Sequence, residues 1–217
     1  MDLQSLIALA WPVMVKGTGY TLLFAIASMV LGLPLAALIT LVRVLRVRLL
    51  QPFMALYVSA MRGTPLLVQV FIIYYGLPSI GIEFSPITAG ILSLTLNVAA
   101  YMSETLRGAI GAVAQGQWLA GTSLGLTRRQ TLRYVIAPQA LRAAVPSLSN
   151  SLISLIKDTS LVSVIAVTEL MLATKELIST TFQPFPLYVA AAGIYWILSL
   201  SFEQLQRRME QRLAFPH

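Results

Sequence analysis

The chain alternates apolar runs long enough to cross a bilayer with short polar clusters, and the order of these blocks predicts an all-α membrane protein. Residues 17–42 carry no charged side chain. At about 1.5 Å per residue a helix of that length crosses roughly 30 Å of hydrocarbon. The same pattern predicts spans over 52–76, 85–108, 145–168 and 187–205, making five transmembrane helices. Pro86 falls in a first turn, where its missing N–H is harmless, and Pro184 with Pro186 introduces the last span. Gly32-Leu33-Pro34 predicts a kink in the first span. Ahead of it, Met1–Trp11 is apolar at positions 3, 6, 7, 10 and 11, so residues 1–16 are expected as a short segment on the outer surface.

Composition agrees with the pattern. Of 217 residues 57% are hydrophobic and 11% charged, against about 45–50% and about 25% in soluble domains. The net charge of +7 could suggest nucleic acid, but the bases lie in clusters between apolar runs, so no nucleic-acid partner is expected. Arg43, Arg46 and Arg48 follow the first span; Arg107, Arg128, Arg129, Arg133 and Arg142 surround the polar segment 111–146; Arg207, Arg208 and Arg212 follow the last span. The opposite side has only Lys16 and Lys175. This asymmetry predicts an outside N-terminus, a cytoplasmic C-terminus and a cytoplasmic 111–146 loop between helices 3 and 4. Met1-Asp2-Leu3 opens without a basic stretch, so the first segment is expected to stay in the mature protein.

Several chemistries are excluded. There is no cysteine, and the sole histidine is His217, so thiolate chemistry, histidine triads and Cys/His metal centres are not expected. No G-x-x-x-x-G-K-[ST] loop occurs. The chain is therefore not expected to be an enzyme; any ATP and Mg would be bound by a partner.

Two groups of polar positions inside the spans are candidates for function. Arg62-Gly63-Thr64-Pro65 and Lys157-Asp158-Thr159-Ser160 interrupt the second and fourth spans. Interrupted helices in corresponding places point to a substrate site, and ionisable groups at that depth are costly unless paired or hydrated. Thr64 and Asp158 are candidates to line a pathway, whereas Arg62 and Lys157 could instead pair with Asp158 or with freed carbonyls. On the third span Asn97, Tyr101, Glu104 and Gly108 share one helical face. Asn97, Tyr101 and Glu104 offer an amide, a phenol and a carboxylate to a zwitterion; Glu104 could alternatively clamp Arg107 one turn later.

The polar segment Gly111–Pro146 contains Gly116-Gln117-Trp118-Leu119-Ala120-Gly121-Thr122-Ser123-Leu124-Gly125, followed by a basic helical segment that ends at Val135-Ile136-Ala137-Pro138. Its small residues suit close packing of a short helix, and it is read either as a solvated linker or as a surface for a soluble partner. This run resembles the cytoplasmic loop of the membrane subunits of binding-protein-dependent ABC importers, which has the form EAA, three residues, Gly, nine residues, I-x-L-P, with Gly125 in the glycine position. The chain is similar more widely to the polar-amino-acid (histidine/glutamine/arginine-type) permease family. The similarity is carried by Arg62-Gly63-Thr64-Pro65-Leu66-Leu67-Val68-Gln69, Asn97-Val98-Ala99-Ala100-Tyr101, Glu104 with Arg107-Gly108, Pro138-Gln139-Ala140 and Lys157-Asp158-Thr159-Ser160-Leu161.

The resemblance implies a permease subunit in a bacterial inner membrane, surrounded by lipid, forming the path for a polar amino acid. Its implied partners are an ATP-binding subunit, an extracytoplasmic solute-binding protein and a second permease subunit, identical or related. It also implies that Gly116, Gln117, Leu119, Ala120, Gly121, Gly125 and Leu126 couple the chain to the ATPase. Leu119 departs from the family's acidic residue and Gly121 from its alanine, so Leu119 is expected to make an apolar contact there. The rival reading is a self-contained secondary transporter using Glu104 and Asp158; a partner-docking loop argues against it.

Overall fold

The computed structural model describes residues 3–213, which form thirteen helical elements joined by short turns, with no strand among them. Met1, Asp2 and His217 lie outside the described residues. Helix α1 runs from Leu3 to Val44 with Pro12 and Pro34 inside it. The segment expected as a separate surface helix is thus, from Leu3 onward, the beginning of this same rod. Forty-two residues extend about 63 Å, so α1 is far longer than the hydrocarbon is thick. Small residues let it pack closely: a Cβ at Gly32 would lie 2.9 Å from Val98 Cγ1, and one at Gly17 would lie 3.0 Å from Leu170 Cα.

The second expected span is two helices, α2 (Gln51–Gly63) and α3 (Leu66–Phe71), with α3 continuing through irregular turns to Ile80. The two limbs meet at 110°. Pro65 explains the break: it cannot donate an N–H, and it forces Thr64 into an extended conformation (φ −120°, ψ 149°). Helix α4 (Pro86–Ala112) starts on a Ser85 cap whose Oγ accepts from Thr88 N at 3.2 Å. It is the centre of the bundle, packed against α1 and α2, with Leu94, Val98, Ala99 and Met102 buried in the main apolar core.

After α4 the polar segment folds into α5 (Gln115–Ser123) and the single turn α6 (Arg128–Thr131). Helix α7 (Ala137–Asp158) then begins inside the segment read as a loop, and Pro146 lies within it rather than before it. Thr159–Ile165 continue as a tighter 3₁₀ turn, closed by Ala166 in the left-handed region at φ 60°. Helix α8 (Leu170–Thr181), absent from the sequence reading, follows, and α9 (Pro184–Leu213) extends past the expected end at Leu205. By length and apolarity, three helices (α1, α4 and α9) qualify as membrane spans, or four if the bent α2–α3 pair is counted. Helix α7 does not qualify because Ser147, Ser149, Asn150, Ser151, Ser154, Lys157 and Asp158 interrupt its apolar surface.

Candidate functional site: a polar cavity and its rim

The α2–α3 break, α4 and α7 enclose a cavity of about 450 Å³. Thr64, Asn97, Tyr101 and Asp158 all line it, together with Ser147, Asn150, Ser151 and Ser154. The four additional residues stand at i, i+3, i+4 and i+7 along α7, so they form one face leading to Asp158. That periodicity was available in the sequence, but the stretch before Lys157 reads as an ordinary apolar span until α4 shows which face is opposed.

The helix break at the cavity wall is held by two amides. Gln69, 5% exposed, donates from Nε2 to Met61 O at 2.8 Å, to Thr64 O at 3.1 Å and to Thr64 Oγ1 at 2.9 Å. Its Oε1 accepts from Asn97 Nδ2 at 3.0 Å, and that same nitrogen approaches Met61 O at 3.3 Å. The carbonyls released where the helix stops are thereby satisfied within the bundle. Neither Arg62 nor Lys157 is paired with Asp158 or serves these carbonyls. Lys157 lines a separate cleft between α7 and α9 with Glu203 and Glu210. Asp158 accepts no hydrogen bond and forms no ion pair among the described residues; it faces the cavity as its one acidic lining group.

Glu104 sits elsewhere. It lies outside the cavity lining, bonded through Oε1 to Arg43 Nη1 at the end of α1 and through Oε2 to Arg107, whose Nη2 and Nε donate at 2.8 and 3.1 Å. Arg62 approaches Oε2 at 3.8 Å, and its guanidinium stands 5.4 Å over the ring of Tyr101. The clamp to Arg107 is therefore present, within a larger cluster that sequence spacing could not show because Arg43 comes from 61 residues away.

The segment between α4 and α7 is a compact turn. Leu126 N donates to Gly121 O at 3.1 Å and Gly125 N to Thr122 O at 2.9 Å, the paired bonds that close a helix on a left-handed residue. Gly125 has φ 76°, a conformation open to glycine without steric cost. Gly121 is buried against Thr131: a Cβ there would lie 2.5 Å from Thr131 Cγ2. The next turn starts with Thr127 and Gln130 capping each other. Gln117 approaches Gln139 at 3.4 Å, while Gly116 and Ala120 are exposed, as are Leu119 and Leu124 at 61% and 79%. Leu126 is half-buried. Arg128 Nη2 reaches Val44 O at 3.4 Å and stacks 5.8 Å from Trp118, joining the turn to the end of α1.

A broken helix beside a polar cavity, inside an apolar bundle that presents a compact turn with exposed leucines, defines a multi-pass transport subunit. Residues 28–215 match the family described as binding-protein-dependent transport system inner membrane component, and the chain belongs to that family. It is 44% identical over 204 residues to the L-cystine transport system permease protein TcyB of Bacillus subtilis, covering 94% of this chain and 87% of that relative. It is 36% identical over 206 residues to the glutamine transport system permease protein GlnP of Escherichia coli K12, covering 94% of both. A crystal structure of an amino acid ABC transporter with histidines superposes with a TM-score of 0.92 at 33% identity, over 98% of this chain and 99% of that one. The methionine transporter MetNI, at 18% identity and a TM-score of 0.74, shares the fold.

Proposed function

We propose that this chain is the membrane pathway subunit of an ATP-driven importer for a neutral or cationic polar amino acid. The observation that carries the proposal is the cavity chemistry. Asp158 supplies one unpaired negative charge for an ammonium group, and hydroxyls and amides from α4 and α7 supply donors and acceptors for the remainder. No lysine or arginine lines the cavity, so a substrate with a net negative charge would meet no compensating cation. The substrate names of the relatives in Bacillus subtilis and Escherichia coli, L-cystine and glutamine, fit this chemistry.

In this reading α7 is the fourth of five crossings, the N-terminus is outside and the C-terminus cytoplasmic. Two permease subunits, identical or related, share a pair of ATP-binding subunits that dock on the α5–α6 turn through Leu119 and its neighbours. ATP and Mg are bound by those partners, and an extracytoplasmic binding protein delivers the amino acid. The cycle requires ATP and the loaded binding protein to favour different states of the bundle, because equal affinity for both shifts nothing. A secondary transporter fits less well: Glu104, one of its two required carboxylates, is occupied by arginines. The test is ATP-dependent uptake into proteoliposomes containing the assembled complex, with L-cystine, L-glutamine, L-histidine and L-glutamate offered in turn. Uptake of one of the first three, dependent on ATP and binding protein, is expected; uptake independent of the ATPase sinks the proposal.

A further inference from the structure

We propose that Glu104 is a positioning residue that relays the placement of the α5–α6 turn to the Tyr101 wall of the cavity through Arg43 and Arg62. The inference rests on the importer reading above and goes beyond it by assigning a device to a residue outside the cavity. Its basis is one carboxylate shared unequally by three cations. Arg43 and Arg107 hydrogen-bond its two oxygens directly. Arg62, at 3.8 Å, is beyond hydrogen-bonding range and is held by charge and by the Tyr101 ring 5.4 Å away.

Tyr101 and Glu104 are adjacent rungs of one face of α4, so the Arg62 guanidinium bridges a cavity-lining ring and a half-buried charge. Arg43 is the variable member. It lies in the last turn of α1, and the neighbouring Val44 carbonyl accepts from Arg128 of the docking turn at 3.4 Å. The docking turn is stiff, because Gly121 and Thr131 are in contact with no spare room, so displacement by a partner is passed on to its attachments. Moving Val44 alters the grip of Arg43 on Glu104, and a carboxylate released by Arg43 draws Arg62 off the ring. Tyr101 then loses the cation that fixes it and the cavity wall changes shape. Arg62 over the ring and Arg62 drawn to the carboxylate are the two discrete arrangements that this coupling between distant sites requires.

The absence of cysteine makes the test direct. Ser154→Cys places a single thiol in the cavity, and its reaction with a charged methanethiosulfonate reagent is timed in the permease–ATPase complex, nucleotide-free and trapped with ATP and vanadate. About a ten-fold change in rate between the two states is expected. Glu104→Gln and Arg62→Met, each added to Ser154→Cys, are expected to reduce the change to under three-fold, the double variant being no worse than either single. Arg62→Lys, which keeps a cation over the ring, is expected to retain at least half of the response. Co-purification of the ATPase checks assembly; if Glu104→Gln fails to assemble, the contrast between Arg62→Met and Arg62→Lys decides. A full ten-fold response in Glu104→Gln or in Arg62→Met, or two single effects that multiply in the double, overturns the relay. If the Ser154→Cys complex shows no nucleotide dependence, the importer cycle itself falls and the relay falls with it.

Discussion

Two carboxylates stand at either end of the turn that follows α7, and they are treated in opposite ways. Glu169 is fully buried. Its Oε1 caps α8 by accepting from Leu172 N at 2.9 Å, while Oε2 accepts from Tyr195 OH at 2.7 Å and Thr21 Oγ1 at 3.3 Å. Thr21 in turn accepts from Leu170 N at 3.2 Å, so α1, α8 and α9 meet on one group. Asp158 has no such partners and opens onto the cavity. A buried polar group that is completed by its own chain holds the fold together; one that the chain leaves incomplete is free to be completed by something else.

The same contrast recurs on α5, where Gly121 is filled against Thr131 and Leu119 stands exposed. Changes at closed positions are expected to damage stability and changes at open positions transport alone. The largest effect is expected for Glu169→Ala, which strands three donors in the bundle at a cost of about 3 kcal/mol or more. It should appear as a marked fall in melting temperature and yield in detergent, and a melting curve like that of the unaltered protein would break the comparison.

Gly121→Ala should follow, at about 1–3 kcal/mol of overpacking. Thr131→Ala in the same chain should restore part of the melting temperature, since it removes the two atoms in closest conflict. Asp158→Asn should leave the melting temperature within measurement error and lower uptake about ten-fold, equivalent to roughly 1.4 kcal/mol of lost substrate interaction. Unchanged uptake would remove Asp158 from the pathway. The smallest effect belongs to Leu119→Glu: folding intact, and ATPase affinity by pull-down or titration reduced about three-fold. Tighter assembly would show that the partner's groove accepts an acid.

The closed and open positions were not equally legible from the sequence. Local signals mark Thr64, Asn97, Tyr101 and Asp158, which line the cavity: a proline break, a four-residue spacing and an acid inside an apolar run. The amide bridge through Gln69 has no such mark, although only five residues separate it from Thr64, because nothing in a sequence indicates which carbonyls a break releases. Glu169 carried no local signal at all. Its acceptor role depends on Thr21, 148 residues away, and a buried acid at a helix cap is spelled the same way as an acid in a loop.

Glu104 shows the limit of face arguments. It does share a helical face with Asn97 and Tyr101, yet the next helix to cross that face brings Arg43 instead of open space. Helix α7 starts earlier than the span expected over 145–168, because Pro146, expected where the loop ends, lies inside the helix. Helix α8 was missed because its apolar positions face α1 and α9 over a stretch too short to read as a span.

The polar face of α7 has a consequence for how the protein is made. A segment with this many hydroxyls and amides, and with Lys157 and Asp158 near its end, gains little by entering lipid alone, since polar and charged residues oppose partition into the bilayer interior. Helices α4 and α9, against which it packs, are apolar enough to enter independently. On the five-crossing reading proposed above, α7 depends on neighbours for its residence in the membrane, and during synthesis it is a tenant of a bundle half built by α4 and completed only when α9 emerges.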